Sequence, residues 1–141
     1  MKNSAKTLLI GYGNTLREDD GFGPSVAALL ERHPGFECLS AYQLTPELSE
    51  QIASYERVVF VDVNAENAAG VFAVPLPKHD EPYGHALSPW KVMAMAQALF
   101  FSKADFLIFS AGGLSFGHKE SLTPPLKKAA ELLAFYLSEK L

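Results

Sequence analysis

The sequence predicts an α/β protein with three layers, in which a twisted, mostly parallel sheet of five strands has helices on both faces. Short apolar runs alternate along the chain with stretches of helical periodicity. The run Val58–Val61 contains no polar residue, which is typical of a parallel strand that is buried on both faces. Ser-Pro or Thr-Pro pairs precede several of the helical stretches, as expected of a capping residue followed by a proline in the first turn.

The predicted strands are short and are separated by turn-forming or charged residues. They span Thr7–Tyr12, Phe36–Tyr42, Arg57–Val63, Gly70–Leu76 and Asp105–Ala111. Pro75 and Pro77 indicate either an edge strand or the end of a strand, because proline cannot donate to the ladder of hydrogen bonds. Strands that alternate with helices favour parallel pairing through right-handed crossovers.

Four helices are predicted, and a proline lies near the start of each. These starts are Pro24, Thr45-Pro46, Ser88-Pro89 and Thr123-Pro124. The second helix is short and ends at about Ser54. The other three have an apolar stripe that should face the sheet. The stripes consist of Val26, Leu29 and Leu30; of Val92, Met93, Ala96, Leu99 and Phe100; and of Leu126, Ala129, Ala130, Leu133 and Leu137.

The composition limits the class of protein. The chain has 141 residues, of which 48% are hydrophobic and 20% charged, which fits one globular domain spanning residues 1–141. The formal charge of -4 argues against a nucleic-acid partner, because such a surface needs clustered Lys and Arg. No apolar run reaches the roughly 18 residues of a membrane span, and the N-terminal residues lack the pattern of a secretory signal. We therefore expect a cytoplasmic monomer with no membrane partner.

Two residues that could act as nucleophiles are assigned structural roles. Cys38 is the single cysteine and lies in an apolar strand, which favours a small buried side chain and excludes an internal disulfide. Ser115 is the centre of a Gly-x-Ser-x-Gly pattern. A nucleophile elbow needs a helix directly after the serine, and an acid and a histidine later in the chain. Here the next helix begins near Pro124 and no Asp follows Ser115, so we predict a flexible glycine-rich loop.

The loop after the first strand is the strongest indication of a binding site. Three acidic residues, Glu18, Asp19 and Asp20, follow Gly11 and Gly13 at the end of that strand. In an open α/β sheet, ligand sites lie beyond the carboxyl ends of the strands. A dinucleotide site would need a third glycine in place of Leu16, and the acidic residues would repel a pyrophosphate. The pattern therefore indicates a cation site.

Two more side chains could complete this site. Asp62 ends the apolar run Val58–Val61, and it should emerge at the same edge of a parallel sheet as the acidic loop. A buried carboxylate there needs a partner or a cation, and the alternative role of Asp62 is a helix cap or a hydrogen-bond acceptor in the loop. His85 precedes a predicted helix start and would otherwise be a surface residue, as we interpret His33 and His79. Two carboxylates and one imidazole suit a divalent ion such as zinc or nickel, with open positions for substrate.

The same residues resemble a known family. Leu9-Ile10-Gly11-Tyr12-Gly13-Asn14 with Asp19-Asp20-Gly21-Phe22-Gly23, followed by Val59-Phe60-Val61-Asp62 and His85-Ala86-Leu87-Ser88-Pro89, is similar to the hydrogenase maturation endopeptidases. The resemblance covers most of the chain. It implies a twisted, mainly parallel sheet between helices. It also implies removal of a short C-terminal extension from the large subunit of a nickel-iron hydrogenase, after the metal has been inserted.

The resemblance assigns roles to individual residues. Asp20, Asp62 and His85 correspond to the family's metal ligands and are the expected catalytic residues of an aspartic-type endopeptidase. The resemblance implies that they recognise nickel already present in the precursor, with another divalent metal as the alternative. Asn14 and Asp19 would support the loop and the first ligand. The segment Gln43–Leu48 departs from the Gly-Thr of many relatives and borders the site, so the resemblance does not assign the substrate choice.

Two functions are compatible with this sequence. The first is an endopeptidase that processes the precursor of a hydrogenase large subunit. The second is a metal-dependent assembly factor that binds a metalloenzyme precursor without cutting it. Both would use the same ligands, so cleavage of the precursor distinguishes them.

Overall fold

The computed structural model describes residues 7–73 and 87–141 of the chain, and strands and helices alternate through most of this part. The strands are β1 (Thr7–Tyr12), β2 (Phe36–Ala41), β3 (Arg57–Ala69), β4 (Phe72–Ala73) and β5 (Asp105–Gly112). The α-helices are α1 (Phe22–Leu30), α2 (Leu48–Ile52), α3 (Pro89–Phe100) and α4 (Pro124–Lys140). A short 3₁₀ helix, Glu18–Gly21, leads directly into α1.

The described strands form one sheet of five, in the order β2-β1-β3-β5-β4. Strands β2, β1, β3 and β5 are parallel, and the two-residue β4 pairs antiparallel with β5 at the edge. This confirms the predicted mostly parallel sheet and the first alternative for the fourth strand, an edge strand. Because β1 and β3 are neighbours, with Gly11 opposite Val61, the loops that follow these two strands meet at one edge of the sheet.

Each face of the sheet is covered by a pair of helices. Leu9 and Val59 point to the face covered by α1 and α4. Leu8 and Phe60 are next to them in sequence and point to the opposite face, which α2 and α3 cover. Side chains alternate along a strand in this way, and fully burying each large one contributes about 1.5–3 kcal/mol. The three-layer arrangement is therefore the one that the apolar strands predict.

Three residues of the predicted helix stripes are not buried. Leu29 is 53% exposed, Leu99 60% and Phe100 38%. Leu29 lies at the margin of the stripe that Val26 and Leu30 form, and in α3 the last buried residue is Ala96, so the final turn extends past the packed surface. The predicted stripe of α4 is buried in full.

Several element boundaries differ from the prediction. Strand β3 continues to Ala69, and its pairing with β5 is irregular between Asn64 and Ala69, which both lie opposite Gly112. Within this irregularity Asn64 Oδ1 accepts hydrogen bonds from the Glu66 and Asn67 amides. Helix α2 begins at Leu48, because the residues before it form turns. In these turns the Thr45 carbonyl accepts from the Leu48 amide, and the Pro46 carbonyl accepts from the Ser49 amide. Strand β2 ends one residue early, at Ala41. Of the predicted fourth strand, residues 74–76 lie outside the described residues.

The start of α3 gives a testable prediction. Ser88 is in an extended conformation, and its hydroxyl accepts a hydrogen bond from the Lys91 amide at 3.2 Å. Replacing Ser88 by alanine removes the side-chain acceptor and leaves the Lys91 amide with the Ser88 carbonyl, at 3.1 Å, so we expect a loss of about 1 kcal/mol in the free energy of unfolding. Urea unfolding of Ser88→Ala measures the loss, with the exposed Ser121→Ala as the matched control. Equal stabilities of the two variants would contradict the capping role.

Within the described residues, no helix combines the length and the apolar character needed to cross a membrane.

Candidate active site

Close backbone contacts bring the acidic loop back onto the sheet edge. Gly13 has a φ of 147°, and a side chain there would collide with the carbonyl oxygen of Asp20. The Gly13 amide also donates to the Ala41 carbonyl at 2.9 Å, which fixes the start of the loop to the end of β2. A Cβ on Gly23 would come within 2.6 Å of the Tyr12 nitrogen, so the start of α1 packs directly on β1. These glycines place Asp20 beside the end of β1.

Asp19 fixes the loop from the inside. Its carboxylate is fully buried and accepts hydrogen bonds from the Thr123 amide at 2.8 Å, the Leu114 amide at 2.8 Å and the Ser115 amide at 3.1 Å. The Thr123 hydroxyl donates as well, at 2.7 Å from Oδ2. Burial works against the charged form, but the bonds from Thr123, Leu114 and Ser115 outweigh it and lower the pKa of Asp19. Asp19 therefore joins the acidic loop to the segment before α4.

Glu18 makes a second connection to the same segment. Its Oε1 accepts from the Ser115 hydroxyl at 2.7 Å and from the Gly117 amide at 2.9 Å. The Glu18 amide donates to the Lys119 carbonyl at 2.8 Å. The hydroxyl of Ser115 thus donates to a carboxylate, and no helix begins between Ser115 and Pro124. The Gly-x-Ser-x-Gly segment is part of the support of the loop rather than a nucleophile elbow.

Asp20 is the member of the acidic run that is left to face the sheet edge. Its Oδ2 accepts from the Asn14 amide at 2.8 Å. The Asn14 side chain is held in turn: Oδ1 accepts from the Leu16 amide at 2.9 Å, and Nδ2 donates to the Tyr42 hydroxyl at 3.4 Å. In this structure Asn14 therefore supports Asp20 through its backbone, and its side chain organises the surrounding loop.

Asp62 lies on β3, on the same face of the sheet as Phe60. The register that pairs Ile10 with Phe60 places Tyr12 next to Asp62, and the Tyr12 hydroxyl hydrogen-bonds to the carboxylate. Burial raises the pKa of Asp62 to about 6; the Val63 amide and Tyr12 oppose this, while the negative charge of Asp20 adds to it. Burial and the charge of Asp62 likewise raise the pKa of Tyr12. The structure therefore brings Asp20 and Asp62 into one electrostatic environment.

The third predicted ligand, His85, lies outside the described residues, as does His79. Among residues 7–73 and 87–141, no three His, Cys, Asp and Glu side chains form a group that could hold a metal ion. His33 accepts a hydrogen bond from the Gly35 amide at 3.0 Å and its ring meets that of Phe36 edge-on, so it has a structural role at the end of α1. The proposed set of Asp20, Asp62 and His85 stays a prediction.

Two residues next to the carboxylates were not predicted from the sequence. Tyr12 contacts Asp62, and Tyr42 contacts Asn14. For Tyr12 a signal was present, because Tyr12 and Asp62 each lie two residues beyond strand residues that are paired, Ile10 and Phe60, and side chains alternate along a strand. For Tyr42 there was none, since its neighbour depends on the path of the loop.

Comparison with solved structures shows that the chain has a known fold. HycI from Thermococcus kodakarensis, a NiFe hydrogenase maturation protease, is 27% identical in sequence and superposes with a TM-score of 0.75. The alignment covers 96% of this chain and 91% of that one. The chain resembles the hydrogenase maturation proteases in sequence and in fold. This confirms the resemblance that the sequence motifs indicated.

More distant hydrogenase maturation proteases share the fold. The hydrogenase maturating endopeptidase HybD from E. coli is 22% identical, with a TM-score of 0.64 over 95% of this chain and 93% of that one. The hydrogenase 2 maturation peptidase from a Thaumarchaeota archaeon is 18% identical, with a TM-score of 0.67 over 95% and 96% of the two chains. No protein-family profile and no curated protein sequence matches the chain. The likeness to these proteases therefore extends over nearly their whole length and is carried by structure more than by sequence.

Proposed function

We propose that this protein is an endopeptidase that removes the C-terminal extension of a nickel-iron hydrogenase large-subunit precursor. The observation that carries the proposal is the pairing of Asp20 and Asp62 at the carboxyl edge of a sheet with the fold of HycI. A plain connection between a strand and a helix does not need two carboxylates that share one electrostatic environment. A carboxyl group whose pKa is raised, as that of Asp62 is, is typical of catalytic and ligand sites in this position.

We further propose that the site recognises nickel that the precursor already contains. Asp20 and Asp62 supply carboxylate oxygens, and His85 would supply an imidazole nitrogen, a donor set that suits a divalent ion of intermediate softness. Nickel is in this case part of the substrate. Binding it would hold the scissile peptide beside the two carboxylates, and water would then add to the carbonyl carbon as the C–N bond breaks.

The arrangement of hydrogen bonds supports this division of roles. Glu18 and Asp19 are buried and bonded to the segment 114–123: Oε1 of Glu18 and both carboxylate oxygens of Asp19 accept hydrogen bonds there. The Asp20 carboxylate is less buried, and among the described residues the Asn14 amide donates to its Oδ2. Asp62 lies beside Tyr12 in the same part of the chain. Asp20 and Asp62 are the two carboxylates that the family resemblance assigns as ligands.

Cleavage of purified precursor tests the proposal. The protein is mixed with nickel-loaded and with nickel-free large-subunit precursors from several hydrogenase groups, and loss of the C-terminal extension is followed by mass spectrometry. We expect cleavage of a nickel-loaded precursor only. Ser115→Ala serves as a control and should still cleave, because the hydroxyl of Ser115 bonds to Glu18.

The other possible results of the cleavage assay distinguish between the two candidate functions. Equal cleavage of the nickel-free precursor would overturn nickel recognition and leave the endopeptidase. Binding of the nickel-loaded precursor without cleavage would support the assembly factor instead. No cleavage and no binding across the precursors would overturn both functions.

A further inference from the structure

Two large apolar side chains are exposed in the loops that Asn14 connects to Asp20. Leu16 is 57% exposed and Tyr42 is 69% exposed. They come from different loops, one after β1 and one after β2. Single exposed apolar residues are common on protein surfaces and need no explanation. These two differ from the others because both are tied to the residue that holds the Asp20 carboxylate.

Asn14 is the link between the two side chains and the site. Its backbone amide donates to Asp20 Oδ2 at 2.8 Å. Its side chain accepts from the Leu16 amide at 2.9 Å and donates to the Tyr42 hydroxyl at 3.4 Å. The loops are also joined by the Gly13 amide, which donates to the Ala41 carbonyl at 2.9 Å. The positions of Leu16 and Tyr42 are thus set relative to Asp20 before any substrate binds.

Two of the three acidic residues of the loop are not available for direct contact with a substrate side chain. Glu18 and Asp19 are buried and hydrogen-bonded to the segment before α4. Tyr42, whose hydroxyl accepts from Asn14, offers apolar area at a low cost in side-chain entropy, as do the aromatic residues that dominate binding energy at interfaces, and Leu16 adds apolar area from the loop after β1.

We infer that Leu16 and Tyr42 are specificity-determining residues that bind an apolar side chain of the precursor next to the scissile bond. The inference rests on the proposed function, since the precursor is the substrate. It adds the chemical class of the residue that the protease selects. The ring of Tyr42 makes the larger contact, and Leu16 adds a smaller one from the loop after β1.

Steady-state cleavage tests the inference with the nickel-loaded precursor that the unmodified protein cleaves. Tyr42→Ala should raise KM about tenfold and Leu16→Ala about threefold, with kcat changed less than twofold, because binding is lost without loss of the reacting groups. Tyr42→Phe should recover most of the lost affinity, since it keeps the ring and removes only the hydroxyl. Leu132→Ala removes an equally exposed leucine on α4, 57% exposed, and should leave KM unchanged.

Failure of this inference can be distinguished from failure of the proposed function. An unchanged KM in Tyr42→Ala, while the unmodified protein cleaves, would overturn the inference alone. If Tyr42→Phe loses as much affinity as Tyr42→Ala, the hydroxyl bond to Asn14 is responsible, and apolar recognition is overturned. If the unmodified protein cleaves none of the precursors, the proposed function fails and the inference fails with it. Replacing the apolar residues beside the scissile bond by serine should raise KM for the unmodified protein and not for Tyr42→Ala.

Discussion

Replacing Asp62 by asparagine is expected to abolish cleavage of the precursor and at the same time to make the protein more stable. The carboxylate that we propose as a metal ligand would be lost, so we expect kcat/KM to fall at least about a thousandfold. Stability should rise because the buried carboxylate is costly to ionise, and burial with the charge of Asp20 raises its pKa to about 6. Asparagine has nearly the same shape and no charge.

The pH dependence of this gain follows from the direction of the shift. The pKa of Asp62 rises from 3.8 to about 6 on folding, so the folded protein holds a proton that the unfolded chain has already released. The stability contributed by protonated Asp62 is therefore present below pH 3.8 and is lost as the pH rises to about 6. Asp62→Asn should gain up to about 3 kcal/mol at pH 8 and almost nothing at pH 4.

Urea unfolding at pH 8 and at pH 4, together with the cleavage assay, checks both parts of the expectation. The exposed Asp105→Asn is the matched control and should change neither quantity. Retained cleavage in Asp62→Asn would contradict the role of Asp62 in the site. A lower stability at pH 8 would instead show that the carboxylate stabilises the fold in spite of its burial.

Replacing Asp19 by asparagine should have the opposite effect on the fold. The Asp19 carboxylate accepts from the Leu114, Ser115 and Thr123 amides, and an amide group would turn an N–H toward one of these donors. We expect a loss of about 3–4 kcal/mol in the free energy of unfolding, the range seen when one partner of a buried charged network is removed. Activity should fall too, because the loop that aims Asp20 is no longer fixed.

The dependence of stability on pH in the acidic range tests the role of the Asp19 carboxylate. Hydrogen bonds outweigh burial and lower the pKa of Asp19 in the folded protein. The stability that the Asp19 carboxylate contributes is therefore present above the pKa of the unfolded chain, near 3.8, and is lost as the pH falls through the lower pKa of the folded protein. The unmodified protein should thus lose stability below about pH 4 more steeply than Asp19→Asn. Thr123→Val, which removes only the hydroxyl donor, should lose about 1–2 kcal/mol. Equal acid unfolding of Asp19→Asn and the unmodified protein would contradict the role of the carboxylate.

Much of the fold could be predicted because the signals are local. The apolar run before Asp62 identifies a central strand, and the Ser88-Pro89 pair identifies the start of α3 to the residue. The Thr45-Pro46 pair is also a hydroxyl residue followed by proline, yet α2 begins at Leu48, because Thr45 and Pro46 form turns instead. A capping pair indicates that a helix is near, and packing decides where it begins.

The site was predictable only to the level of the loops that form it. Parallel strands carry Asp20 and Asp62 to one sheet edge, and this follows from topology alone. The division of roles within the acidic run does not follow from topology, since Glu18 and Asp19 bond to partners 97 and 95 residues later in the chain. No local pattern distinguishes a carboxylate that is used up in this way from one that stays available. The family resemblance, rather than spacing, singled out Asp20.

The bonds of Asp19 also set an order for biosynthesis. Thr123, which donates to Asp19, lies 104 residues after it in the chain. During translation the acidic loop leaves the ribosome about a hundred residues before the groups that donate to its buried carboxylate. The glycines of the loop are thus made well before the contacts that aim Asp20 can form. Under the proposed function, a chain that stops before Thr123 would be inactive.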